Sequence, residues 1–146
     1  AARLLEHFQP KDPITSTEVK SIESYLENIL TPLWVALKKF PCDVLVGSSG
    51  SFDTLSEVIV HQFYDISILK GKTNYDFKLS DYNWLHDYIL KSNLEKRLKT
   101  PGMIPMRADM IVISSIFINY ILERKQIQSM KLSTYALKEG VLKTLS

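Results

Sequence analysis

Residues 43 to 63 constrain the fold more than any other stretch of the chain. Asp43-Val44-Leu45-Val46 is a short β-rich run between Pro41 and Gly47, the pattern of a buried strand. Gly47-Ser48-Ser49-Gly50-Ser51 follows as a tight loop of small residues, and Phe52 to Phe63 resumes helical periodicity. Strand, small-residue loop and helix together form an α/β unit. Backbone N–H groups at the positive end of that helix can hold an anion such as phosphate. Glycine permits the close backbone approach this requires, and serine hydroxyls add donors. A plain connecting turn explains the same residues, and spacing alone leaves both readings open. The loop is not a Walker A sequence, because serine and phenylalanine follow Gly50 where lysine and a hydroxyl residue belong. Nor is it a nucleophile elbow, which needs glycine where Ser51 stands.

Composition narrows the classes. A length of 146 residues suits one folded domain, and 45% hydrophobic with 23% charged residues is ordinary for a globular chain. The formal net charge of +2, with acids and bases interleaved, lacks the electrostatic footprint of a nucleic-acid binder, so no DNA partner is expected. The lone Cys42 cannot form an internal disulfide and reads as a small buried or half-buried residue. The apolar run Met110 to Leu122 falls short of the roughly 20 residues that span a bilayer and reads as a buried core helix. Ala1 to Phe8, with Arg3, Glu6 and His7, is amphipathic and unlike a signal peptide. No membrane association is therefore expected, and cytoplasm is the default location. The chain opens in what reads as mid-helix without an initiator methionine, so a processed or truncated product is expected.

The remaining elements follow from capping and periodicity. Leu4, Leu5 and Phe8 share a helical face that Pro10 and Pro13 end. Thr15 and Glu18 form a capping box ahead of Val19, Ile22, Leu26, Ile29, Leu30 and Leu33, and Pro32 kinks or restarts that helix. Residues 65 to 78 read as an irregular connection around Gly71, long enough to border a site. Ser80 is expected to cap a helix over 81–91, and Asn93 a shorter one ending near Lys99. A long helix is expected from about Met106 to Arg124, then a second strand over 129–133 and a closing helix over 137–145.

The other candidate groups are weak by themselves. His7, His61 and His86 have no partner at metal-ligand spacing and read as surface or boundary residues, so no protein-held metal site is expected. Lys91, Lys96, Arg97 and Lys99 read as a solvated helix face, with anion recruitment as the competing explanation. Ser114 and Ser115 are small enough to admit a close neighbour within the apolar helix. Lys138-Glu139-Gly140 reads as exposed cap chemistry.

In order and separation, three blocks resemble the exopolyphosphatase/guanosine-pentaphosphate phosphohydrolase family, a branch of the actin-like, sugar-kinase and heat-shock ATPase superfamily. They are Val46 to Ser51; Pro101-Gly102-Met103-Ile104 through Arg107-Ala108-Asp109 with its apolar helix; and Ser133 to Leu142. Ser51 stands where the family usually has threonine, Ser114 where glycine is common, and Lys138 where arginine is typical. The last change removes a planar, bidentate donor.

The resemblance implies a mostly helical α/β fold with few strands: a partial ribonuclease H-like, actin-like ATPase lobe. Residues 1–146 would be the single carboxy-terminal lobe of a two-lobed phosphatase whose amino-terminal lobe, with the catalytic glutamate and an aspartate-glycine-rich phosphate loop, lies upstream of Ala1. It implies hydrolysis of terminal phosphoanhydride bonds in inorganic polyphosphate or guanosine pentaphosphate, with magnesium neutralising phosphate charge. This chain alone would be inactive. Gly47, Ser48, Ser49, Gly50 and Ser51 would bind substrate phosphate; Lys138, Glu139, Arg107 and Asp109 would support the cleft; no catalytic or metal residue is expected within the chain. A homodimer is a family expectation. The alternative, a non-catalytic module that binds or senses a phosphorylated ligand, is suited by the altered Lys138.

Overall fold

After a short helix α1 (Ala2–Phe8), the capping box at Thr15 starts α2 (Ser16–Ile29) as the sequence predicts. The Glu18 amide donates to Thr15 Oγ1 at 3.3 Å and the Thr15 amide donates to Glu18 Oε2 at 2.8 Å. Pro32 sits in the first turn of α3 (Thr31–Lys39), where its missing N–H costs nothing, so the chain restarts there. Then come β1 (Val44–Ser48), α4 (Gly50–Phe63), a 3-10 turn (Ile66–Ile68), β2 (Asn74–Phe77), α5 (Leu79–Lys91) and α6 (Leu94–Leu98). A second 3-10 turn (Pro105–Arg107), α7 (Met110–Lys125), β3 (Ser129–Ser133) and α8 (Leu137–Thr144) complete the order. This computed structural model describes residues 1–144 and, within α8, leaves the Lys138 side chain outside the described residues.

The three strands form one sheet in the order β1-β3-β2. β1 runs parallel to β3, pairing Val44 with Ser129 and Ser48 with Ser133, and β2 runs antiparallel, pairing Phe77 with Met130. Leu45, Met130 and Phe77 align on the face that joins the core. Leu55 and Ile59 of α4 extend the core from this face, and Ile22 and Leu26 of α2, Tyr82, Leu85 and Ile89 of α5 and the apolar faces of α7 belong to the same cluster. With Ile111, Val112, Ile113, Ile116, Ile118 and Leu122 all buried, α7 is apolar nearly all round, as a central helix must be.

Several expectations need correcting. β2 lies inside the stretch expected to be irregular: four residues are too few for alternation to show. β1 is not buried, since Val44 and Val46 are exposed on an edge, and Cys42 is exposed beside it. Ser80 does not cap α5, whose N-cap is Lys78 without a side-chain cap bond. Helix α7 begins at Met110 because residues 105–107 form a separate turn, and the Asp109 carboxylate accepts from the Met110 amide at 2.6 Å. His86 lies at the boundary as expected, half-buried with its Nδ1 2.7 Å from Ser115 Oγ, and burial lowers its basicity.

Arg97, expected on a solvated face, is 3% exposed. Its Nε donates to the Ala108 carbonyl at 2.6 Å, its Nη1 donates to the Ser92 carbonyl, and Asp12 lies 2.8 Å away. One guanidinium thus ties the α1–α2 connection, the end of α5 and the start of α7. Asp12→Ala leaves that buried cation without its counter-charge. The expected loss is about 2 kcal/mol in urea unfolding, below the usual cost of breaking a buried pair because Asp12 is itself half-exposed.

A second bridge joins α2 to α7. Arg124 donates to both Glu27 oxygens at 3.0 Å, and the Tyr120 hydroxyl donates to Glu27 Oε2. The Arg124 bonds, then that of Tyr120, hold the Glu27 carboxyl down at about 2. A lowered folded-state pKa stabilises above the unfolded value and is lost as pH falls toward the folded one. Glu27→Gln should therefore flatten the decline in melting temperature between about pH 4.5 and pH 2, read by circular dichroism against the parent chain.

Candidate functional site

β1 delivers the chain to α4 through a sharp reversal. Ser49 adopts φ 62°, ψ 174° and Gly50 a φ of +48°, and the Phe52 amide closes the turn onto the Ser49 carbonyl at 3.1 Å. The Phe52 ring folds back over Gly47 so closely that a Cβ there would lie 2.1 Å from it, and the same ring packs edge-on against Phe77. Gly47 is thus required by close approach, and Gly50 by its left-handed backbone. Although Ser49 occupies the N-cap position, its hydroxyl makes no cap bond. The first two amides of α4, on Gly50 and Ser51, have no intrahelical acceptor, and among the described residues no carbonyl outside the helix takes them.

These uncapped residues line an open cavity of about 490 Å³. Ser48, Ser49, Gly50 and Ser51 form one wall; Ser114, Phe117, Ile118 and Ile121 of α7 form another; Arg107 stands at the junction. The Arg107 guanidinium lies over Gly50, with its carbon and both terminal nitrogens 3.4 Å from where a Cβ would sit. Among the described residues, it makes no hydrogen bond or ion pair. A half-buried cation, orphan amides and small hydroxyls therefore converge on one concave surface, an arrangement that favours an anion.

The other sequence-selected residues are dispersed. Gly47 is in β1 behind the loop. Asp109 caps α7 and lines a different groove with Asp12 and Arg97. Glu139 Oε2 accepts from the Ala136 amide at 2.8 Å, at the start of α8. Lys138 lies outside the described side chains. Sequence reasoning gave Arg107 an orienting role and missed the cavity-lining face of α7. That face is legible in retrospect, since Ser114, Phe117, Ile118 and Ile121 recur at helical spacing. Two residues expected from the resemblance to depart from the common pattern are partners: Ser51 Oγ donates to Ser114 Oγ at 2.8 Å, joining the first turn of α4 to α7.

A model of the Ppx/GppA phosphatase family matches residues 1–145. The chain belongs to this family. Among solved structures, it is similar to an exopolyphosphatase from Cytophaga hutchinsonii, with 34% identity and a TM-score of 0.92 over 99% of this chain and 46% of that one. A Ppx/GppA family member from Aquifex aeolicus shows 26% identity and a TM-score of 0.75 over 99% of this chain and 45% of that one. An exopolyphosphatase-like protein at 17% identity, with a TM-score of 0.79 over 98% of this chain and 47% of that one, adds evidence for the fold alone. No curated protein sequence matches. The fold is the mostly helical α/β arrangement of a partial actin-like ATPase lobe, and the Ppx/GppA chain spans about half the length of these solved relatives.

The Phe52–Gly47 contact yields a direct test. Gly47→Ala must displace the Phe52 ring from Phe77 and from the loop, so unfolding free energy should fall by about 1–3 kcal/mol, with a changed near-ultraviolet dichroism. Unchanged stability and dichroism would show that the ring does not hold the loop.

Proposed function

We propose that this chain supplies the phosphate-binding wall of a two-lobed phosphohydrolase that cleaves terminal phosphoanhydride bonds in inorganic polyphosphate or guanosine pentaphosphate. The observation that carries the reading is the Arg107 guanidinium, unpaired among the described residues and lying over Gly50 in the loop cavity. Family membership supplies the reaction class. A phosphoanhydride end carries dense negative charge, which the Arg107 fork and the Gly50 and Ser51 amides can receive without rearranging. Hydroxyls of Ser48 and Ser49, exposed at the cavity mouth, add donors. Phosphoryl transfer depends mainly on such positioning and charge stabilisation.

No carboxylate is among the residues lining this cavity, so the chain offers no base there for an attacking water. The catalytic group then belongs to the other lobe, and the isolated chain binds without hydrolysing. Magnesium is expected from the family, but the described residues hold no cluster of three His, Cys, Asp or Glu side chains that could grip a metal. Magnesium bound through substrate phosphates and carboxylates of the other lobe is the arrangement this reading expects.

The second reading is a module that retains a phosphorylated ligand uncleaved, with no catalytic carboxylate supplied from the other lobe. Titration calorimetry with tripolyphosphate tests the binding site. Arg107→Ala should weaken binding at least about 10-fold, the cost of losing one charge-assisted contact, with Arg107→Lys in between and melting temperatures unchanged. Equal affinities across the three proteins would remove the cavity from the substrate path. Phosphate release by the two-lobed protein separates the two readings: binding without release selects the retaining module.

A further inference from the structure

Buried hydroxyls in this molecule spend their protons close to home. Thr54 Oγ1 donates to the Gly50 carbonyl at 3.1 Å, Ser56 Oγ to that of Asp53 at 2.8 Å and Ser92 Oγ to that of Ile89 at 3.0 Å. Each reaches back three or four residues along the chain, the usual resource of a hydroxyl in a helix. Ser115 Oγ is shared with His86 Nδ1 at 2.7 Å. Ser114 breaks the pattern. Although only 6% exposed, it enters its one hydrogen bond among the described residues as the acceptor, from Ser51 Oγ at 2.8 Å.

A serine hydroxyl carries one donor and two acceptor sites. With one acceptor site taken by Ser51, the Ser114 O–H still has a proton to place, and leaving it unmatched inside the protein is unfavourable. Its surroundings narrow the choice. Along α7 its neighbours Ile111, Ile113 and Ile118 are apolar and buried. The open side is the loop cavity, which Ser114 lines together with Gly50, Ser51 and Arg107. The bond from Ser51 also strengthens Ser114 as a donor, because a hydroxyl that accepts is polarised to give.

We infer that Ser114 is a ligand-binding residue: its hydroxyl proton, unspent among the described residues, goes to the anion that Arg107 and the Gly50 and Ser51 amides receive. Ser51 then has two parts, its amide facing the anion and its side chain holding Ser114 in the donating orientation. This rests on the phosphate-binding reading given above and deepens it, because donors now come from α7 as well as from α4. A phosphoryl end offers three acceptor oxygens and can engage donors from several directions at once, whereas a carboxylate offers two in one plane. Donors on two helices therefore suit a phosphoryl terminus.

Calorimetric titration with tripolyphosphate separates this role from a structural one. Ser51→Ala and Ser114→Ala each remove the same interhelical hydrogen bond, so a purely structural pair loses affinity equally in both. Donation to the ligand makes the losses unequal. Ser114→Ala should weaken binding about 10-fold, the usual cost of a hydrogen bond to a charged group. Ser51→Ala, which keeps the donor but no longer holds it, should cost about 3-fold. The double variant should match Ser114→Ala within about 2-fold, since the Ser51 side chain acts through Ser114. Should Ser114→Ala fail to fold, Ser114→Cys replaces it, its thiol being a weak donor, and the same order of affinities is required. Equal losses in the two single variants, or parent affinity in Ser114→Ala, would overturn the inference. If Arg107→Ala still weakens binding in that case, the anion site stands and only the Ser114 contact falls. A parent chain that does not bind tripolyphosphate removes both.

Discussion

Arg97 is the polar interaction on which the placement of the site depends. A guanidinium that is 3% exposed is tolerable only with its donors satisfied and its charge opposed. The Ala108 and Ser92 carbonyls and the Asp12 carboxylate meet those demands. Because Ala108 directly follows Arg107, the bond from Arg97 fixes the turn that carries Arg107 toward the loop. A buried cation thereby orients a second cation that is left unpaired and half-open. The division follows from solvation: the group that serves structure is neutralised, and the one facing the cavity keeps its binding capacity.

The loop achieves its shape by crowding as much as by flexibility. Gly47 is needed because Phe52 occupies the space a side chain would take, whereas Gly50 is needed because the chain reverses through a positive φ beneath Arg107. With no side-chain cap at Ser49, the helix start is left for something outside the protein to complete. The Ser51–Ser114 hydrogen bond joins α4 to α7 by pairing two hydroxyls that would otherwise sit unsatisfied between apolar helices.

The loop cavity has its own physical logic. Receiving an anion requires donors and a cation, which fit on one wall. Among the described residues lining that wall there is no carboxylate. The uncharged edge of β1 and the apolar groove of α8 flank the same loop. Polar and apolar concave surfaces therefore meet at Ser48 and Ser49, which line both.

Local chemistry in the sequence determined the α2 cap at Thr15 and Glu18, the restart at Pro32, the Asn93 cap of α6, the strand–loop–helix unit and the apolar character of α7. Each depends on residues within a few positions, whose propensities act alike in any context. The three blocks around Gly47, Arg107 and Ser133 also identified the family. Tertiary structure alone decided the rest. β2 became a strand only because β3 offered it a partner, and β1 lies exposed because, among the described residues, no strand covers its other side. Arg97 and Arg107 look equivalent as letters, yet one is buried against carbonyls and the other faces the loop across 57 positions of chain. Charge state and hydrogen-bonding capacity are properties of a side chain; burial and partnership come from segments brought together through space, which no local pattern encodes.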